Sequence, residues 1–272
     1  MTLPFIDRAP TSKEIEKLRL LLSTYQDGTG MLQIEDGSTR PGWRDFERAT
    51  ALALNGNAQE SKAIFDVLLP DERNPQVNYG LSCKMRCELN RINRDGRVTI
   101  EVANSAGRFW ANLANYDLNQ GNYKDSPNQV GAAIIETVNG GHDAVSTNQG
   151  GNIDVHKSCY LVLSWNKLGN YQIHQFSLEL PDPEDITWSF PRQARGKNAG
   201  AEGRRLAGND GSGSLFEWYG ESGGQLKYYP LAKNAIWASG IFQLEPLGDI
   251  EYGIINKARA YFPKQWAAAT AG

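Results

Sequence analysis

Nowhere in these 272 residues is there an apolar run of the roughly 18 residues that a membrane-crossing helix needs. No basic-then-apolar leader opens the chain either, so membrane spanning and secretion are both disfavoured and a cytoplasmic protein is expected. Cysteine is scarce. Cys83, Cys87 and Cys159 are odd in number and sit in apolar strand patterns, which argues for buried thiols in a reducing compartment and against a disulfide framework. Histidine is as scarce, and His142, His156 and His174 have no partner at metal-ligand spacing. A zinc site and a Cys–His nucleophile pair are therefore disfavoured. An excess of positive charge is missing too. The net charge is −3, so attraction to a polyanion must come from a local basic patch. Internal repeats are absent, and no linker is clean enough to cut the chain into independent domains.

What is present is an ordinary globular composition, 22% charged and 40% hydrophobic, long enough for one large domain. Residues 59–89 carry the most information. Two apolar segments, 63–69 and 79–89, read as strands joined by a polar connection containing proline. In the first, Phe65, Val67 and Leu69 share a face, while Asp66 stands between Ile64 and Leu68 on the other. In the second, Leu81, Cys83, Met85, Cys87 and Leu89 alternate with Ser82, Lys84, Arg86 and Glu88, a period of two. An acid within an apolar strand costs several kcal/mol in order of magnitude unless it is paired or binds a cation. Asp66 and Lys84 both make sense if they share one site on neighbouring strands. Taken alone, the two could equally form a half-buried structural salt bridge.

Thr11 with Glu14 makes a capping-box pattern that opens a helix to Tyr25. A second helix is expected over residues 42–54, with Trp43, Phe46, Thr50 and Ala53 as its apolar stripe and Glu47 at the border of that stripe. Asn93-Arg94-Asp95-Gly96 reads as a turn, and residues 97–102 as a strand in a hairpin with the Lys84 strand. Helices are expected from Asn104 and from Ser126-Pro127, the latter stopping at Gly140-Gly141. Strands are expected at Cys159–Trp165 and 171–180, then at 215–219, 226–229 and 235–244, with a closing helix over 249–262. The expected fold is α/β: a central mixed sheet flanked by helices, with a core at about residues 11–180 and a β-rich C-terminal region at about 181–272.

Glu47 in Asp-Phe-Glu, Asp66 in Ile-Phe-Asp-Val and Lys84 in Ser-Cys-Lys follow one another in an order that resembles the PD-(D/E)xK nuclease superfamily, and type II restriction endonucleases within it. The resemblance covers about residues 42–110. It implies a restriction-endonuclease-like core and Mg²⁺-dependent hydrolysis of double-stranded DNA, with Asp66, Lys84 and Glu47 as catalytic residues. Asp66, Glu47 and the Cys83 backbone carbonyl would hold the metal, a donor set of the kind Mg²⁺ takes. The chain departs from the pattern at Ser82, where the superfamily has an acid. Glu47 is the foremost substitute and Glu60 is possible, whereas Glu88 and Glu101 are expected to lie too far from Lys84.

The segment 192–205 holds Arg192, Arg195, Lys197, Arg204 and Arg205 among Gly and Asn, with Glu202 its sole acid. Such a loop suits phosphate contacts or base edges in the major groove. Arg86 and Arg94, with Arg91 and Arg97, would extend the phosphate track, while Trp188, Trp218 and Tyr228 are expected to pack in the core. Cleavage at a short palindrome would imply a homodimer. A non-enzymatic carbohydrate- or protein-binding module and a non-specific repair or phage nuclease are the alternatives.

Overall fold

The computed structural model describes residues 2–34, 38–59, 64–192, 200, 203–248 and 253–270. Helix α1 (Ser12–Ser23) starts where the capping box places it. The Glu14 amide donates to Thr11 Oγ1 at 3.3 Å, and the Thr11 amide donates to the Glu14 carboxylate at 2.7 Å. A small antiparallel pair, β1 (Leu32–Gln33) and β2 (Thr39–Arg40), precedes α2 (Trp43–Leu54). Asp45 fixes the start of α2 by accepting from the amides of Gly42 at 2.8 Å and Met31 at 2.9 Å. Asn55, left-handed at φ 55°, ends it.

Strands β3 (Asn57–Ala58), β4 (Val67–Pro70) and β5 (Asn78–Arg86) form an antiparallel meander. Next come α3 (Leu89–Asp95), β6 (Ile100–Asn104), α4 (Ala106–Ala114) and α5 (Pro127–Asp143). Strands β7 (Cys159–Trp165) and β8 (Asn170–Ser177) follow. Strand β7 lies parallel to β5 and antiparallel to β8, so the sheet is mixed. The remainder is β9 (Thr187–Ser189), β10 (Leu206–Asn209), β11 (Ser214–Tyr219), β12 (Gln225–Tyr228), β13 (Trp237–Ala238), β14 (Phe242–Gln243), α6 (Gly253–Tyr261) and α7 (Pro263–Thr270).

Among the described residues there are two principal sheets. The first runs β13-β8-β7-β5-β4-β3, with β14 also on β8; the second is antiparallel, β6-β12-β11-β10-β9. Leu81, Cys83, Leu161 and Leu163 pack with Leu18, Leu22 and Phe46 of α1 and α2. The second sheet packs Phe216, Trp218 and Leu226 against Phe109, Leu113, Val130 and Ile134 of α4 and α5. Trp188 and Trp218 are buried, and Tyr228 stacks on Phe216 at 4.8 Å, so these aromatics are packing groups as expected. A mixed α/β architecture with a helix-flanked mixed sheet is what the periodicities predict.

Several local expectations differ from the structure. Residues 97–102 do not pair with the Lys84 strand. Strand β5 ends at Arg86, α3 intervenes, and β6 pairs with β12 in the other sheet. Gly96, at φ 70°, caps α3 instead of turning a hairpin. Cys87 is exposed because it lies past the end of β5. Trp43 is 49% exposed at the first turn of α2, outside the buried stripe. The segment 235–244 is two short strands on β8, and α5 runs through Gly140-Gly141 to Asp143.

Candidate active-site cleft

A cleft of about 430 Å³ opens between α2, the β4–β5 end of the first sheet and strand β6 of the second. Helix α2 contributes Trp43 and Glu47, the residue before β4 contributes Asp66, β5 contributes Cys83 to Arg86, and β6 contributes residues 101–104. The ladder between β4 and β5 ends at Val67 opposite Leu81, and the Asp66 amide donates to the Leu81 carbonyl at 3.0 Å. Asp66 is thereby anchored where β4 begins. Alternation along β5 turns Leu81 and Cys83 to the α1/α2 core and Ser82 and Lys84 to the opposite face, where Asp66 stands.

Lys84 Nζ donates to Asp66 Oδ2 at 2.9 Å, and Ser82 Oγ reaches the same oxygen at 3.5 Å. Position 82, where the resemblance expects an acid, is therefore beside Asp66. Glu47 shares the cleft. Burial, with the Asp66 carboxylate adding to it, pushes the Glu47 carboxyl up to about 7, against the pull of Lys84, Arg44 and Arg48. The Cys83 side chain is packed in the core, so its main chain is what reaches the cleft. Burial raises the pKa of both Cys83 and Cys159, which leaves neither thiol suited to nucleophilic work.

The expected distance of Glu101 from Lys84 rests on a hairpin between their strands, and the structure corrects that premise. Because β6 belongs to the second sheet, Glu101 faces the cleft, in contact with Arg86 and accepting from Gln225 Nε2 at 2.6 Å. No hydrophobic period marks that placement. It depends on β12, more than a hundred residues further along the chain.

The expected basic track divides into different roles. Arg97 is buried and donates to the Tyr229 carbonyl and to Asp210, so it is part of the core and not of a phosphate track. Arg91 lies over the Tyr229 ring at 4.0 Å and bonds Asp95. Arg94 is exposed on α3, beside Asp95 at 3.3 Å and away from the cleft. Arg192, Arg204 and Arg205 line a second cavity of about 420 Å³ with Tyr219 and Glu221. There Arg204 meets Glu221 at 3.3 Å, and Arg205 meets Glu217. Arg195, Lys197 and Glu60 lie outside the described residues.

Among the described residues no group of three or more His, Cys, Asp or Glu side chains is gathered closely enough to hold a metal. Glu47, Asp66 and the Cys83 main chain nonetheless supply the hard oxygen donors that suit Mg²⁺, which keeps several waters and asks for one or two carboxylates. A half-buried carboxyl facing a second carboxylate is also an arrangement that a cation would relieve. Lys84 and Ser82 meet Asp66 at Oδ2, and Oδ1 is the second oxygen the carboxylate offers to an ion. The sequence matches no protein-family model, no curated protein and no solved structure. Among the described residues no helix is long and apolar enough to cross a membrane.

Proposed function

We propose that this chain is a Mg²⁺-dependent endonuclease that hydrolyses phosphodiester bonds of double-stranded DNA at a specific short sequence, acting as a homodimer on a palindrome. The supporting observation is the convergence of Glu47 from α2, Asp66 from just before β4 and Lys84 from β5 in one cleft. The helix-flanked mixed sheet is in keeping with the restriction-endonuclease-like core that the sequence resemblance implies. When bound, Mg²⁺ would polarise the phosphate and lower the pKa of the attacking water. Asp66, Glu47 and the Cys83 carbonyl would hold it. Lys84, beside Asp66, would orient the water and balance the charge that builds on the phosphate as the bond breaks. Trp43 and Arg44, side by side at the exposed start of α2, would meet the substrate at the rim.

A non-specific nuclease of the same superfamily is the second reading. It is favoured by Glu221 and Glu217, acids beside Arg204 and Arg205 that DNA would have to displace before those arginines could read base edges. Incubation with supercoiled plasmid, in Mg²⁺ or in EDTA, tests both. Discrete bands in Mg²⁺ alone are expected. A smear selects the non-specific enzyme, and intact plasmid under all conditions removes the nuclease reading in favour of a carbohydrate- or protein-binding module.

A further inference from the structure

Two ion pairs sit in the cleft. Lys84 places an ammonium on Asp66, and Arg86 places a guanidinium on Glu101. Both cations come from β5, two residues apart, and so point to one side of it. Their acceptors differ in origin. Asp66 belongs to the same sheet, whereas Glu101 comes from β6, so the Arg86–Glu101 pair joins the two sheets across the cleft. Gln225 Nε2 on β12 donates at 2.6 Å to Glu101 Oε2, the same oxygen that Arg86 meets.

The Arg86–Glu101 pair is not sealed in. The side chains are 32% and 21% exposed. Pairs with that much access to water contribute little to stability and exchange partners readily. A carboxylate and a phosphodiester offer a guanidinium the same fork of two oxygens, and the phosphate makes an equally strong charge-assisted match. In the cleft Asp66 and Glu101 offset Lys84 and Arg86, and Glu47 adds negative charge wherever it ionises, so no net positive charge draws in a polyanion. With Glu101 neutralised, Arg86 is left as a free anion ligand beside Lys84.

We infer that Arg86 is the ligand for a phosphate of the substrate backbone, and that Glu101 is its stand-in within the free protein. Glu101 keeps the guanidinium aimed into the cleft and is displaced when a phosphodiester enters, with Gln225 retaining the released carboxylate. This rests on the nuclease reading and assigns the anion subsite within it.

The test is binding of a fluorescently labelled mixed-sequence DNA duplex, followed by anisotropy in EDTA so that nothing is cut, at several salt concentrations. Glu101→Gln is expected to tighten binding about tenfold and to steepen the salt dependence by about one unit of slope, because Arg86 becomes free to displace a counterion. Arg86→Gln is expected to weaken binding by a similar factor. The double variant should bind like Arg86→Gln alone, since a stand-in with no arginine to hold has no effect. Thermal melts confirm folding, and Glu101→Ala replaces the glutamine variant if that one does not fold. Two results overturn the assignment: unchanged binding on loss of the Glu101 charge, or a gain that persists without Arg86, which is a general charge effect. Wild-type protein that cuts plasmid but shows no Glu101 effect leaves the nuclease reading standing and removes this inference. Wild-type protein that neither cuts nor binds removes both.

Discussion

Two of the networks of charged groups, one beside each sheet, are built on opposite plans. Around Arg97 the groups are answered. The guanidinium donates to the Tyr229 carbonyl at 2.7 Å, to Asp210 at 3.0 Å and to Ser212 Oγ at 2.7 Å. Burial works against the Asp210 carboxylate, yet the Ser212 and Arg97 hydrogen bonds outweigh it and hold its pKa below the usual range. Around Glu47 the balance is reversed. Burial and the Asp66 charge prevail over Lys84, Arg44 and Arg48, and the carboxyl is held near neutrality. A satisfied network fixes the position of strands and stays inert. A carboxyl whose ionisation burial and a like charge move up to about pH 7 is poised to accept a cation or exchange a proton, as functional sites tend to be.

The comparison can be broken most severely at Asp66 and Lys84. Asp66→Ala and Lys84→Ala should each lower plasmid cleavage at least about a thousandfold, roughly 4 kcal/mol of barrier. Their circular dichroism should match that of the wild type, because neither side chain supports a core. Full activity in either variant ends the catalytic assignment.

Arg97→Ala should behave in the opposite way. Removing a buried guanidinium leaves the Tyr229 carbonyl and Asp210 without their partner, a loss of about 3–5 kcal/mol for a broken buried pair. Urea unfolding should report it, while the folded fraction cuts plasmid at the wild-type rate. A loss below about 1 kcal/mol would show that this network is ornament to the fold.

Glu47→Gln sharpens the contrast through pH. The folded pKa of Glu47 is about 7, above its usual 4.5, so its contribution is fully present below pH 4.5 and is lost as pH rises through 7. The glutamine variant has no such loss. Its stability relative to wild type should therefore climb between pH 4.5 and 7. The gain should reach about 1–2 kcal/mol at pH 8, allowing for solvent screening of a half-buried group. Buried His174 has the opposite sign. Burial lowers its pKa to about 4, so its contribution is present above pH 6.5 and is lost as pH falls towards 4. Both proteins share that term, and it cancels. A flat difference across this range would mean that Glu47 is solvated.

The elements that lay within reach of short-range rules were legible in the sequence. The Thr11–Glu14 box, the Asn55-Gly56 stop of α2, Ser126-Pro127 at the head of α5 and the apolar run of β7 each depend on neighbours a few residues away. The pairing of Asp66 with Lys84 was legible too, because both residues break an apolar pattern and the strands that carry them are adjacent in sequence. Glu101 and Trp43 were not. Alternation along β6 is the same whether its partner is β5 or β12, and periodicity names a face without naming what covers it. Arg97 looked like a surface cation because its partners, Asp210 and Ser212, lie over a hundred residues away.

The parallel pairing of β5 with β7 also governs how the molecule comes into being. Lys84 and Asp66 leave the ribosome before β7 and β12, with the meander β3–β5 to hold them. The strand that completes the Lys84 side, β7, starts at Cys159, and the wall that carries Glu101 has no partner until Gln225–Tyr228 of β12 has emerged. Such long-range closures are slow, because the entropy of a large loop is spent before any contact rewards it. A nascent chain therefore carries Asp66 and Lys84 without the Glu101 wall in place until β12 has emerged, and the cleft closes only with the second sheet.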